Sequence, residues 1–261
     1  MPPKDYPEPL ATLGSSLQAL FESIERIVNA IDWPRLDAFL VRIAELPKKS
    51  KDAMALAASK GWYFGWHGSL PELMDLIDEL AATGTPVDAV MEQYYRDNLQ
   101  PFTDELVQKY PHRSQPIKAA VNAHRNHEPE GYFLSIPVFI AQADGLLTEI
   151  TKVQSAMRRI HKTSELHASK ALRDKLSADP EALDLIYPLL TLPTSDFLKS
   201  ENDRKRSVEL SGQTFAALNR HLVMHGESSD YGTETNSLKA FSFLAFIGLH
   251  LPMIMDTTAG P

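Results

Sequence analysis

Between Leu218 and Leu238 the chain reads Leu-Asn-Arg-His-Leu-Val-Met-His-Gly-Glu-Ser-Ser-Asp-Tyr-Gly-Thr-Glu-Thr-Asn-Ser-Leu, which places two histidines and an arginine in one polar stretch between apolar segments. Histidine gives and takes a proton near neutral pH, its unperturbed pKa being about 6.5. Arginine carries a fixed charge in a planar fork that suits phosphate. Phe215, Leu218, Leu222 and Met224 or His225 recur at spacings of three and four. Residues 207–225 are therefore expected to end a helix, with Gly226 as its left-handed cap. On such a helix His221 and His225 share a face, one turn apart. Arg220 lies about 140° round the axis and about 7.5 Å along it from His225, so only its long side chain lets the two meet on one phosphate. Glu227 to Thr235 reads as an acidic, hydroxyl-rich loop, with Thr235 or Asn236 as N-cap of the next helix.

Three chemistries fit this cluster. Histidines at i and i+4 can share a divalent ion, with Asp144, Asp230 or Glu227 as further ligands of a metal-dependent hydrolase. A purely structural use also fits, because the helix dipole favours a histidine in a last turn and the arginine can pair with a carboxylate. The third is phosphoryl chemistry, in which a histidine moves a proton and the arginine holds transition-state charge. Other classes lose their support. The chain has no Walker-type loop, Gly-x-Gly-x-x-Gly, His-Glu-x-x-His or Gly-x-Ser-x-Gly, and with no cysteine it offers no thiol nucleophile, disulfide or Cys-based metal site.

The elements that must position the cluster read as helices throughout. At 261 residues with 43% hydrophobic and 23% charged residues the chain is globular in composition, and its net charge of −8 confines any nucleic-acid contact to a local patch. Residues 1–9 form a proline-rich leader without the apolar core of a signal sequence, so a cytoplasmic protein is expected. A helix is expected over Leu10 to Ile31, and another from Pro34 through Leu46, closed by Pro47. A third starts near Ser50 and runs into Gly61-Trp62-Tyr63-Phe64-Gly65-Trp66-His67-Gly68, a turn whose rings are expected to pack in the core. Pro71, Pro86 and Pro101 each suggest a helix start. Arg113 to His127 is a more basic helix, and Glu128-Pro129-Glu130-Gly131 marks a soft boundary between domains 1–128 and 129–261.

In the second half, Tyr132 to Lys152 is an apolar helix that carries Gln142 and Asp144. Residues 151–206 hold eleven Lys/Arg against eight Asp/Glu, a locally basic region in an acidic chain. Arg158, Arg159, His161 and Lys162 form one cluster and Arg204, Lys205 and Arg206 another, and these are the candidate RNA contacts. Short helices are expected at 171–176 and 180–190, a turn at 193–199, and a helix from Val208 into the focal stretch. Ala240 to Met255 is broken by His250 and Pro252 and is too short for a comfortable membrane span, so it reads as a buried helix or a subunit contact. No strand-like alternation bounded by hairpin turns occurs, and the fold class is all-α.

Arg220-His221-Leu222-Val223-Met224-His225 resembles the signature of the HEPN superfamily, the higher eukaryotes and prokaryotes nucleotide-binding domains: an arginine, a polar residue and a histidine near a helix end. A following apolar helix and an earlier one bearing Asp144 extend the likeness over residues 130–255. The resemblance implies a HEPN-like helical bundle after a helical N-terminal portion. It implies a metal-independent endoribonuclease, free of cofactors, that leaves a 2′,3′-cyclic phosphate. Many such proteins serve as toxins, in antiphage defence or in RNA processing, often as homodimers and beside a neutralising partner. Arg220 would hold the scissile phosphate, His225 would act as general acid or base, His221 would fill the polar position, and Asp144 would assist from the earlier helix. The alternative is an inactive module of the same kind that binds RNA, nucleotide or a protein.

Overall fold

The computed structural model describes residues 33–126, 128–161, 163 and 165–257. The leader, the helix expected over Leu10 to Ile31, and Lys162 lie outside the described residues. The fold is all-α. Its long helices are α1 (Trp33–Ser59), α2 (Leu70–Ala81), α3 (Val87–Lys109), α4 (Ser114–His124) and α5 (Pro129–Thr151). Shorter ones follow: α6 (His167–Lys175), α7 (Pro180–Leu185), α8 (Tyr187–Thr191), α9 (Glu201–Ser211) and α10 (Arg220–Met224). The chain ends with α11 (Glu234–Ala245), a π-helical turn at Phe246–His250, and α12 (Leu251–Thr257). Among the described residues there is no strand, and the only bridge of that kind joins Arg159 to Leu166.

Chain contacts divide Met1–Leu46, whose described part is the first half of α1, from Pro47–Pro261, which holds the remaining helices. Glu128 therefore falls within the second unit, where α4 packs on α5 across it and α3 and α5 both pack on α11. Two prolines sit differently from their expected roles. Pro47 and Pro101 do not bound helices but lie inside α1 and α3. A proline inside a helix removes one hydrogen bond and crowds one carbonyl. In α3 that cost is offset on both sides of Pro101, where Tyr95 and Leu99 before it and Phe102 and Leu106 after it are all buried.

The segment from α11 through the π turn is the centre of the second unit. Phe241, Phe243, Leu244, Phe246 and Ile247 are fully buried, each contributing about 2 kcal/mol of apolar burial. Of the two uses expected for this segment, packing inside one chain accounts for it. It and α5 are also the two segments long and apolar enough to cross a membrane by length and composition, yet here they lie against each other. A polar seam runs between them. Ser237 Oγ is 2.8 Å from His124 Nδ1 and 2.7 Å from Ser135 Oγ, which in turn donates to the Tyr132 carbonyl at 3.2 Å.

The aromatic turn packs into the core, as its composition suggests. Trp62, Tyr63 and Phe64 are buried; Trp62 stacks on Tyr95 with centroids 6.0 Å apart, and Tyr63 meets Phe243 edge-on at 4.8 Å. Two histidines close this end. The Trp66 N–H donates to His250 Nδ1 at 3.1 Å, so His250 carries its proton on Nε2, which donates to the Leu185 carbonyl at 3.0 Å. Burial pushes His250 down to about 4, and burial followed by proximity to His250 pushes His67 down to about 3. Both are neutral at pH 7.

Candidate functional site: an arginine-lined cavity

After α5 the chain builds a run of short helices over residues 153–226 whose apolar side chains, among them Leu172, Ile186 and Phe197, are buried. Here the structure departs from the long helix expected over 207–225. α9 ends at Ser211, because Gly212 takes the left-handed conformation (φ 67°) and its N–H returns to the Val208 carbonyl. Residues 212–219 are not helical. The helix restarts at Arg220 because Asn219 is its N-cap: Asn219 Oδ1 accepts from the N–H of His221 at 3.0 Å and of Leu222 at 3.2 Å. Gly226, with φ 69°, then closes α10 as the sequence suggests. Farther on, the N-cap of α11 is Thr233, two or three positions before the expected Thr235 or Asn236.

Asn219 is the residue that sequence reasoning missed. It is buried, and its amide also donates to the carbonyls of Asp196 at 2.7 Å and Lys199 at 3.1 Å. Its oxygen takes a further bond from Arg204 Nη1 at 3.3 Å. Arg204, expected to contact RNA, is 9% exposed and serves this scaffold: Nη1 also donates to the Lys199 carbonyl at 3.0 Å, and Nη2 pairs with Glu227 at 3.4 Å. An Asn directly before Arg-His-Leu-Val was the available signal, since asparagine is among the strongest N-caps.

This scaffold brings Arg220 and His221 to a cavity of about 510 Å³ that Asp144, Arg158, Arg159 and Ser200 also line. Arg220 Nη2 donates to Asp144 Oδ2 at 2.8 Å. Its Nε is buried and has no hydrogen-bond partner among the described residues. An unmet buried donor costs about 1–3 kcal/mol, so Arg220 is held beside the cavity with one N–H uncompensated. Burial holds the half-buried His221 below the ordinary histidine pKa, and Arg220 and His225 push the same way. The two imidazoles are parallel, 3° apart in plane with centroids at 6.1 Å, and His225 is exposed beside the cavity rather than in its lining.

The other candidates separate. Gln142, expected near Asp144, accepts from Arg113 Nη1 at 3.1 Å on another face of α5. Arg158 is exposed at the cavity rim. Arg159 is tied down, with Nη2 donating to the Pro193 carbonyl at 2.6 Å and Nη1 facing Asp203 at 3.4 Å. Lys205 is exposed and pairs with Glu201 at 2.7 Å, and Arg206 lines a second cavity. The loop acids that would repel a phosphate are engaged elsewhere. Glu227 is on Arg204, Asp230 accepts from Ser228 at 2.6 Å, and Glu234 pairs with Arg96 at 2.7 Å. Among the described residues no three His, Asp or Glu side chains gather as metal ligands, and Asp144 faces Arg220.

These features define an all-α protein with a cation-lined cavity at the edge of its core. Neither a family model nor a curated protein nor a solved structure matches the chain.

Proposed function

We propose that this protein is a metal-independent endoribonuclease of the HEPN kind, acting at the Arg220–His221 cavity. The observation that carries the reading is the cavity wall itself, which gathers Arg220 and a histidine with two further arginines, Arg158 and Arg159. Arg220 is the cation that meets the phosphate in the cavity, with Arg158 at the rim. Asp144 orients the guanidinium through Nη2. His221, held below its usual pKa, is neutral at pH 7 and takes the proton of the 2′-hydroxyl. The 2′-oxygen attacks phosphorus, the bond to the 5′-oxygen breaks, and the leaving oxygen takes a proton from His225, whose ring lies beside His221. The products are a 2′,3′-cyclic phosphate and a 5′-hydroxyl, and Arg220 holds the added charge of the transition state. Two histidines thus divide the proton transfers, His221 taking one proton and His225 giving another, where the sequence motif alone gave that work to His225. A homodimer would add a second set of these cations to the acidic protein, and the proposal includes it.

A binding module without turnover is the second reading. It is favoured by the Asp144–Arg220 pair, which neutralises the central cation, and by the position of His225 outside the cavity lining. Cleavage of mixed cellular RNA in chelator separates the two. Wild type is expected to give cyclic phosphate ends, while Arg220→Ala and His221→Ala, folded and of the same oligomeric state, give none. Equal cleavage by all three would sink the proposal. Binding without cleavage by the wild type would leave the second reading.

A further inference from the structure

Arg159 is a wall between two cavities. On one side it faces Asp144, Arg220 and His221; on the other it lines a smaller space of about 290 Å³ with Pro193, Thr194, Lys199, Arg206 and Leu210. Its own guanidinium is spent on the Pro193 and Leu198 carbonyls and on Asp203. Asp203, the acid that lines the smaller cavity, is engaged by Arg159 and by the Ser200 hydroxyl at 2.7 Å. Lys199 is paired with Asp196 at 2.6 Å. One exposed arginine then remains in each cavity, Arg158 in the larger and Arg206 in the smaller. Neither side chain makes a hydrogen bond or ion pair among the described residues. At the rim of the smaller cavity Leu210 is 80% exposed, an apolar side chain standing in water one helical turn after Arg206.

A lone anion needs one such place. Two unpaired guanidiniums on either side of a shared wall, in a chain of net charge −8, fit a ligand that repeats its phosphate along a backbone. A base needs a flat or apolar surface once it is unstacked, which only a single strand provides without melting a duplex. We propose that the cleft at Arg206 is a second phosphate subsite, holding the phosphate next to the scissile one in a single-stranded RNA, with its base against Leu210. The identity of the polymer rests on the ribonuclease reading; the subsite rests on the two cavities.

The test uses the full chain and a uridine hexamer methylated on every 2′-oxygen, which binds but cannot be cleaved, with uridine 3′-monophosphate as the one-phosphate ligand. Affinities are measured over a series of salt concentrations for wild type, Arg206→Gln, and Lys170→Gln as a charge-matched control on α6. Arg206→Gln is expected to reduce the slope of log K against log salt by about 0.7, the value for one phosphate of a single strand. It should weaken the hexamer by about five- to tenfold at low salt, leaving the monophosphate and the control at wild-type values. Equal slopes for wild type and Arg206→Gln, an equal loss for the monophosphate, or no hexamer binding by wild type would each overturn the subsite. A reduced slope without cleavage of unmodified RNA keeps the subsite and removes the nuclease. Cleavage that depends on Arg220, with an unchanged slope, does the reverse.

Discussion

Asn219→Ala is the substitution that most directly tests how the site is built. The side chain caps α10 through the N–H groups of His221 and Leu222, and losing such a cap costs about 1 kcal/mol. It also donates to the Asp196 and Lys199 carbonyls, each bond worth about 1 kcal/mol net. Arg204 Nη1 loses one acceptor but keeps the Lys199 carbonyl. The expected destabilisation is about 3 kcal/mol. With a urea dependence of about 2–3 kcal/mol per molar, the unfolding midpoint should fall by about 1 M. Asn219→Asp keeps the capping oxygen and an acceptor for Arg204, so it should recover the share due to the cap. Equilibrium urea unfolding followed by circular dichroism reads both variants. A loss below about 1 kcal/mol for the alanine variant, or no recovery by aspartate, would refute the assignment of Asn219 as the pin of α10.

Stability should fall with pH in the window set by the buried histidines. An unfolded histidine binds a proton below about 6.5, whereas His250 and His67 resist until about 4 and about 3, so stability is lost as pH falls from 6.5 toward 4. Between pH 7.5 and 5.5 the two together should cost about 2.5–3 kcal/mol, and equal urea midpoints at these pH values would contradict the burial of neutral imidazoles. Asp144→Asn removes the charge that neutralises Arg220 and should tighten inorganic phosphate binding by about tenfold, or 1.4 kcal/mol, in calorimetry; weaker binding would mean that the carboxylate is needed to aim the guanidinium. Ser237→Ala takes one partner each from His124 and Ser135 in the core and should cost about 1–3 kcal/mol, with a stability unchanged within error counting against the polar seam.

The helices were legible where one signal dominated. Pro71 announces the start of α2, and in the structure the Ser69 hydroxyl caps it by accepting from the Glu72 N–H. Pro101 misleads because local propensity sees one lost hydrogen bond and not the buried residues on either side that hold α3 together. The helix expected over 207–225 fails for the opposite reason. Phe215 and Leu218 keep helical spacing, but Gly212 and Asn219 are stop and start signals that outweigh it. At the site, the proximity of Arg220 to His221 is written in the chain. Its pairing with Asp144 joins residues separated by 76 positions, a contact that periodicity cannot reach. Arg204 shows the same limit: a basic run looks solvated from sequence, and only the fold turns one of its three members inward.

The pinning of α10 by one buried amide bears on how the protein moves. The helix is five residues long, too short to persist alone, and it packs chiefly on α5 and the 196–198 turn, whereas α5 and α11 hold each other through the core. Its hydrogen-bonded amides should exchange with solvent through a local opening that leaves the core closed, well ahead of those in α11. The cavity can then be dismantled and rebuilt while the rest of the molecule stays folded. A cell could silence such a protein by trapping α10 open, without competing for the ligand and without unfolding the chain.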